Sequence, residues 1–327
     1  MELFEFGRDF AVGADISWTP QMEKSGYKFR DRSGQESDVL QILKSFGMDT
    51  IRLRTWVDPS DDPQAGHCSA KETLGFALRC KDAGYRLMLN FHYSDSWSDP
   101  AKQRIPAAWE HLDFDALVRQ MYDYTRETMT LFKNNGVFFE WVQIGNETNP
   151  GMLLPMGSTD DFGRLTELYN AGHDAVKVVS GKSKTMVHLA EINLTDFCVE
   201  YFENLEKHNC RYDMMAFSVY PYWVYEYHQI SYDECIKAYA RSMREIPERF
   251  GKDIMLVETG GLDDAEDESH RLFTDLLREM TGQPKCKGIL LWEPQGARSW
   301  SNYPLNSWRS DGTPSGALDV FKNIRKK

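Results

Sequence analysis

Two glutamates stand where catalytic chemistry is easiest to build. Glu147 closes the run FEWVQIGNE (139–147), and Glu258 sits in DIMLVETGG (253–261). Each comes directly off a strongly apolar stretch, the pattern of a buried strand ending at a polar mouth. Two carboxyl groups facing one another across a cleft suit the hydrolysis of a glycosidic bond. At a separation of about 5–5.5 Å one attacks as nucleophile while the other serves as acid and then base, and configuration is retained. A single glutamate at a strand end is as often a structural ion pair; two in this setting weigh against that reading. Glu258 is expected as nucleophile and Glu147 as acid/base.

The neighbours suit those roles. An arginine beside Glu258 would hold it ionised; Arg54 is the first choice and Arg52 the second. The Tyr220 hydroxyl is placed to donate to the same carboxylate. Asn146, next to the acid, is placed to meet a sugar 2-hydroxyl, a contact that strengthens in the transition state. Trp292 can floor the site beneath the cleaved sugar, with a packed core indole as the plainer alternative. As acid, Glu147 must carry a proton, which the charge on Glu258 favours; once Glu258 is esterified that charge is gone, and Glu147 turns base.

Eight apolar runs would have to position these groups: 11–17, 50–56, 86–94, 139–147, 184–192, 214–222, 253–261 and 287–295. Helical patterns alternate with them at 39–47, 72–84, 116–136, 163–181, 200–209, 233–251, 270–282 and 316–326, several ending in a glycine stop. Strand–helix alternation eight times over predicts parallel strands joined by right-handed crossovers. An α/β fold, a single (β/α)8 TIM barrel, follows, with one catalytic domain over 1–327. An open nucleotide-binding sheet would need G-x-G-x-x-G after the first strand, and GADISWTPQME has no such glycines. In a barrel the strand C-termini form the active site. Those ends carry Asp15; Arg52 and Arg54; His92, Tyr93, Asp95 and Trp97; Asn146 and Glu147; His188; Tyr220 and Tyr222; Glu258; and Trp292 and Glu293.

Composition narrows the partners. Acidic residues outnumber basic ones 50 to 38, a net charge of −12, which disfavours nucleic acid and strongly acidic polymers. A neutral polysaccharide fits, and nine tryptophans offer rings for the C–H faces of sugars. No apolar run reaches the ~20 residues of a membrane span. The six cysteines include no CxxC pair, so no zinc site is expected, and they read as mostly free and buried. A Schiff-base aldolase would need a lysine at a strand end, and none is there. A metal hydrolase would draw on His92 and His188 with Asp95 or Asp15; the two histidines fit better as hydrogen-bond partners of sugar hydroxyls or of the carboxylates.

The motifs GADISW, RLRTWVDP, NFHYSDSWSDPAKQRIPAAW, VQIGNETNPGMLLP, MVHL, SVYPYW, VETGG and LLWEP, in this order from residue 13 to about 294, resemble the family 53 glycoside hydrolases, the endo-β-1,4-galactanases. The resemblance implies a (β/α)8 barrel and retaining cleavage of β-1,4-galactan, the side chain of pectin and of type I arabinogalactan. It puts the acid/base on Glu147 and the nucleophile on Glu258, with Arg54, His92, Asn146, Tyr220 and Trp292 around the substrate; Asp95, Trp97 and His188 are expected as supporting residues. A monomer is expected, secreted, periplasmic or at the cell surface. The chain departs from the family pattern at Ala190, where an Asp is common, and in a short seventh loop, GGLDDAEDESH. Calcium in bacterial members sits on long seventh and eighth loops. The run Asp263, Asp264, Glu266, Asp267, Glu268 offers oxygen ligands, yet a helix N-terminus attracts the same residues. No cofactor is required, and calcium finds no support. The remaining alternatives are a related retaining β-glycanase acting on mannan, xylan or cellulose, and a catalytically silent carbohydrate-binding barrel.

Overall fold

The computed structural model describes residues 2–63 and 65–327. Eight parallel strands close into a barrel: β1 (Ala11–Asp15), β2 (Thr50–Thr55), β3 (Arg86–Phe91), β4 (Trp141–Ile144), β5 (Lys184–Leu189), β6 (Met214–Ser218), β7 (Asp253–Glu258) and β8 (Cys286–Trp292). They neighbour one another in chain order, and β8 returns to β1. Every residue of β1, β2, β4 and β6 is buried, as expected of parallel strands covered on both faces. The strand expectations from sequence hold, each element ending a few residues early because the polar tail of each run turns into the loop that carries function.

Seven helices follow their expected positions: α1 (Val39–Ser45), α2 (Ala70–Asp82), α3 (Phe114–Asn134), α4 (Phe162–Val179), α5 (Thr195–Lys207), α6 (Tyr232–Phe250) and α7 (Glu266–Met280). Their starts are written in local chemistry. Asp38, Asp113 and Asp161 each accept a backbone N–H of the first turn, and Ser69–Glu72 and Ser231–Glu234 form reciprocal capping boxes. Helix α6 stops at Gly251, which takes the left-handed conformation that favours glycine.

Two expectations need correction. Residues 316–326 are not an α-helix: Gly316–Asn323 is a 3-10 turn and Ile324–Lys326 a short strand, pairing in parallel with Phe4–Phe6. The far end of the chain supplies the ladder partner, and extended pairing draws the last residues out of the helix. The sixth run does not stay extended to residue 222. It ends at Ser218, and Pro221, whose ring pre-sets a helical φ, begins a helix over Pro221–His228.

The chain divides into two compact units. The first comprises residues 1–52, 191–195 and 217–327. In it Phe273 packs on Phe321, tying α7 to the 3-10 turn. The second comprises residues 53–190 and 196–216. There the Arg86 guanidinium makes a two-pronged pair with Glu140, at 2.8 and 2.7 Å, and lies over the Trp141 ring. Five of the six cysteines are buried and Cys210 is half-buried. Burial pushes the Cys235 and Cys286 thiols up to about 12, which makes them packing residues and not nucleophiles. Among the described residues no helix is long and apolar enough to cross a membrane.

Gly13 on β1 is a close-approach position. A Cβ there would lie 1.8 Å from the Thr50 carbonyl oxygen of β2, and backbone cannot yield as a side-chain tip does. Gly13→Ala is expected to destabilise the fold by about 3 kcal/mol, the upper part of the over-packing range. A urea melt checks this; an unchanged midpoint would show that the two strands have slack.

Candidate active site

Glu258 is the last residue of β7 and is buried. Arg52 of β2 places Nη2 at 2.7 Å from its Oε1 and Nη1 at 2.9 Å from Oδ2 of Asp15, the last residue of β1. Register produces this meeting: Asp15 pairs with Arg52 on one side and with Trp292 on the other. The other oxygen of Asp15 accepts from the Ser17 amide at 3.0 Å and hydroxyl at 2.7 Å. The Tyr220 hydroxyl donates to Glu258 Oε2 at 3.3 Å, as its position in sequence suggested. One guanidinium thus serves two carboxylates. Burial pushes the Glu258 carboxyl above the usual carboxylate range. Arg52 pulls it down, the Asp15 charge raises it again, and the Tyr220 hydrogen bond lowers it. The result is a fixed, desolvated carboxylate with one tyrosine and one arginine on it, which is what an attacking group needs.

The arginine on Glu258 is therefore Arg52, and the expectation of Arg54 is corrected. Both side chains leave β2 on the same face, two residues apart and so about 7 Å along the strand. Arg52 is the one in register with Asp15. Arg54, also buried, lies over the Trp97 ring at 4.4 Å and the Trp56 ring at 5.6 Å. Trp56 in turn meets Trp97 edge-on at 5.0 Å and His92 at 6.0 Å. This arginine–aromatic cluster gives Trp97 a fixed ring plane.

Glu147 sits past the end of β4 in a different setting. Gly145, Asn146 and Glu147 make a sharp turn in which Glu147 itself takes a left-handed φ of 48°. Non-glycine residues pay for that conformation, and such strain concentrates at functional sites. The Glu147 amide donates to His188 Nδ1 at 3.3 Å, which holds the turn. Asn146 Oδ1 accepts from Asn90 at 2.8 Å, and its amide donates to the Ser98 carbonyl at 2.7 Å. Gln103 donates to the carbonyls of Asn146 and Glu147. His92 Nδ1 accepts from the Ser98 amide at 3.0 Å, which places its ring proton on Nε2 as a donor.

Other expected site residues fall into distinct places. Asp95 spends both oxygens on backbone, accepting from Asp58 N at 3.0 Å and Ala107 N at 2.9 Å. It staples loops, a supporting role. Trp292 is half-buried and meets Trp18 edge-on at 5.1 Å and Tyr303 at 4.7 Å. Trp18 is held by its amide, which donates to the buried Glu293 carboxylate at 3.0 Å; Glu293 also accepts from Gln295 at 2.6 Å. Trp18, Asn90 and Gln103 lie within the quoted motifs but were not singled out as site residues. The acidic run after β7 is engaged elsewhere: Asp263 pairs with Arg298, and Glu266 accepts from Arg309 and from the Gly316 amide, each at 2.6 Å. Among the described residues no group of three or more His, Cys, Asp or Glu gathers to hold a metal.

The model of glycosyl hydrolase family 53 matches residues 11–286. This chain belongs to that family. It is 32% identical over 342 residues to the arabinogalactan endo-β-1,4-galactanase of Humicola insolens, spanning 94% of this chain and 98% of that protein. Against the endo-β-1,4-galactanase of Bacillus subtilis it is 31% identical over 264 residues, 80% of this chain but 58% of that protein. Among solved structures, the family 53 catalytic domain of Ignisphaera aggregans superposes with a TM-score of 0.86 at 28% identity, covering 97% of this chain and 96% of that one. If Glu258 is the attacking carboxylate, it must be ionised to act. Its raised carboxyl protonates as pH falls, so kcat/KM is expected to drop on the acid side at a pH above the ordinary carboxylate range. Arg52→Met removes the group that pulls Glu258 down. The acid limb should move to still higher pH, and the fold should lose about 3–5 kcal/mol for the carboxylates left buried. A pH profile and a thermal melt read both; an unmoved acid limb would separate Glu258 from that titration.

Proposed function

We propose that this family 53 protein is a retaining endo-β-1,4-galactanase, acting on β-1,4-galactan of pectin side chains and type I arabinogalactan. The observation that carries the reading is the contrast between the two strand-end glutamates: Glu258 in a buried ion cluster, Glu147 on a strained, left-handed turn past the end of β4. Environments that differ in this way separate a nucleophile from an acid/base. The names of the Humicola insolens and Bacillus subtilis relatives support the substrate.

In this mechanism Glu147 protonates the glycosidic oxygen as Glu258 attacks the anomeric carbon. The leaving sugar departs as an alcohol, and a galactosyl ester forms on Glu258. Glu147, now a carboxylate, takes a proton from water, and the hydroxide attacks the same carbon and frees Glu258. No step calls for a metal. The reading treats residues 1–327 as a single catalytic domain, working as a monomer on a polymer outside the cytoplasm. Seven residues, 259–265, separate β7 from α7, and so short a loop is expected to affect the length of product released.

Product analysis on linear β-1,4-galactan, with mannan, xylan and a soluble cellulose alongside, tests the substrate. Short galacto-oligosaccharides from galactan alone are expected. Cleavage of another glycan instead would keep the carboxylates and move the specificity; silence on all four would favour a binding protein. Glu258→Ala should abolish turnover and leave galactan binding measurable. Glu147→Ala should lose about 10²–10⁴-fold on galactan and far less in glycosylation by an aryl galactoside whose leaving group needs no proton. Equal losses on both substrates would undo the acid assignment.

A further inference from the structure

One buried amide reaches the main chain of the acid/base residue from a loop 44 residues earlier in the chain. Gln103 is buried in the segment between β3 and α3. Its Nε2 donates to three carbonyl oxygens: Asn146 at 2.7 Å, Glu147 at 3.1 Å and Asp99 at 3.1 Å. Consecutive carbonyls of an extended chain point in opposite directions. Here those of residues 146 and 147 converge on one donor, and the left-handed φ of Glu147 is what lets them converge. The hydrogen bonds and the strained torsion therefore describe one geometry. Gln103 is itself fixed, since its own carbonyl accepts from the Leu154 amide at 2.7 Å. The segment around it is stapled by the two backbone bonds of Asp95.

We propose that Gln103 is the positioning residue that aims the Glu147 carboxyl, holding its peptide in the turn that directs proton transfer. The proposal rests on Glu147 being the acid/base. Gln103 touches no reacting atom. Its amide stabilises a backbone conformation that costs about 1–3 kcal/mol when left alone, and relaxation of that torsion swings the carboxyl away from the glycosidic oxygen. Its removal should therefore damage the steps that need the proton and spare those that do not. A general packing defect would damage both.

The test compares wild type, Gln103→Met, Gln103→Asn and Glu147→Ala on linear β-1,4-galactan and on a dinitrophenyl β-galactoside. Gln103→Met keeps the volume and removes the donor; Gln103→Asn keeps the donor and shortens its reach, and stands in should the first variant fail to fold. The expected result is a fall of about tenfold or more in kcat on galactan. KM should stay within about twofold, and the single-turnover release of dinitrophenol should be nearly unchanged, because its leaving group needs no general acid. A galactan-to-aryl rate ratio equal to wild type in both Gln103 variants overturns the proposal, provided Glu147→Ala shows the loss of that ratio. Should Glu147→Ala also keep the ratio, the acid/base reading has failed, and the proposal falls with it.

Discussion

A guanidinium buried between two carboxylates is the constraint from which the site follows. Arg52, Asp15 and Glu258 bring one guanidinium and two carboxyl groups together in a largely buried cluster. Desolvating three charges is costly, and only close, well-aimed contacts offset it. Those contacts depend on how near β1 and β2 approach. Gly13 pairs with Thr50 two residues before Asp15 pairs with Arg52, so the missing Cβ at Gly13 belongs to the same geometry as the ion pair. The strand ladder sets the position of Arg52, and Arg52 sets the direction of Glu258. Tyr220 adds the last donor from the turn that starts the Pro221–His228 helix.

The same arrangement bears on how Glu258, the proposed nucleophile, can carry a raised carboxyl and still act as a carboxylate. Burial and Asp15 favour the neutral acid, while Arg52 and Tyr220 favour the anion. A carboxylate held by strong partners alone would be a poor nucleophile, because its charge would be fully satisfied. One held at higher basicity keeps electron density for attack, while Arg52 opposes its protonation.

Much of this was legible in the sequence, and the limits are instructive. Near-continuous apolar runs marked the strands because both faces are covered, and capping residues with terminal glycines marked the helices because those signals are local. Glu147 and Glu258 stood out as candidates because both follow such runs. The choice between Arg52 and Arg54 was not. Both lie on one face of one strand, and register against β1 decides between them. Asp95 was expected as a supporting residue, but the backbone amides it supports belong to residues 58 and 107, which spacing does not reveal. Gln103 is a polar residue in a polar loop, and its importance lies in which carbonyls it reaches. The last strand, Ile324–Lys326, depends on Phe4–Phe6 at the opposite end of the chain. Each failure concerns a partner distant in sequence.

The two glutamates are held by different means, and the chemistry explains the difference. As the proposed nucleophile, Glu258 must be ionised to attack, and the Arg52 guanidinium beside it favours that form. As the proposed acid/base, Glu147 would give up a proton and take one back in each cycle. Its position is set in part through the main chain, which does not titrate. The turn is gripped from several sides: His188 accepts the Glu147 amide, Gln103 takes the two carbonyls, and Thr148 is locked behind them. The Thr148 hydroxyl meets Tyr169 of α4 at 2.5 Å, and its carbonyl accepts from Tyr201 of α5 at 2.8 Å. Burial raises both tyrosine hydroxyls well above their ordinary range, so they remain neutral hydrogen-bond partners at any pH at which the protein is folded. At about 1 kcal/mol for each net hydrogen bond, this set is comparable with the strain of the left-handed turn. Bonds to its backbone thus hold the turn that carries the proposed acid/base residue.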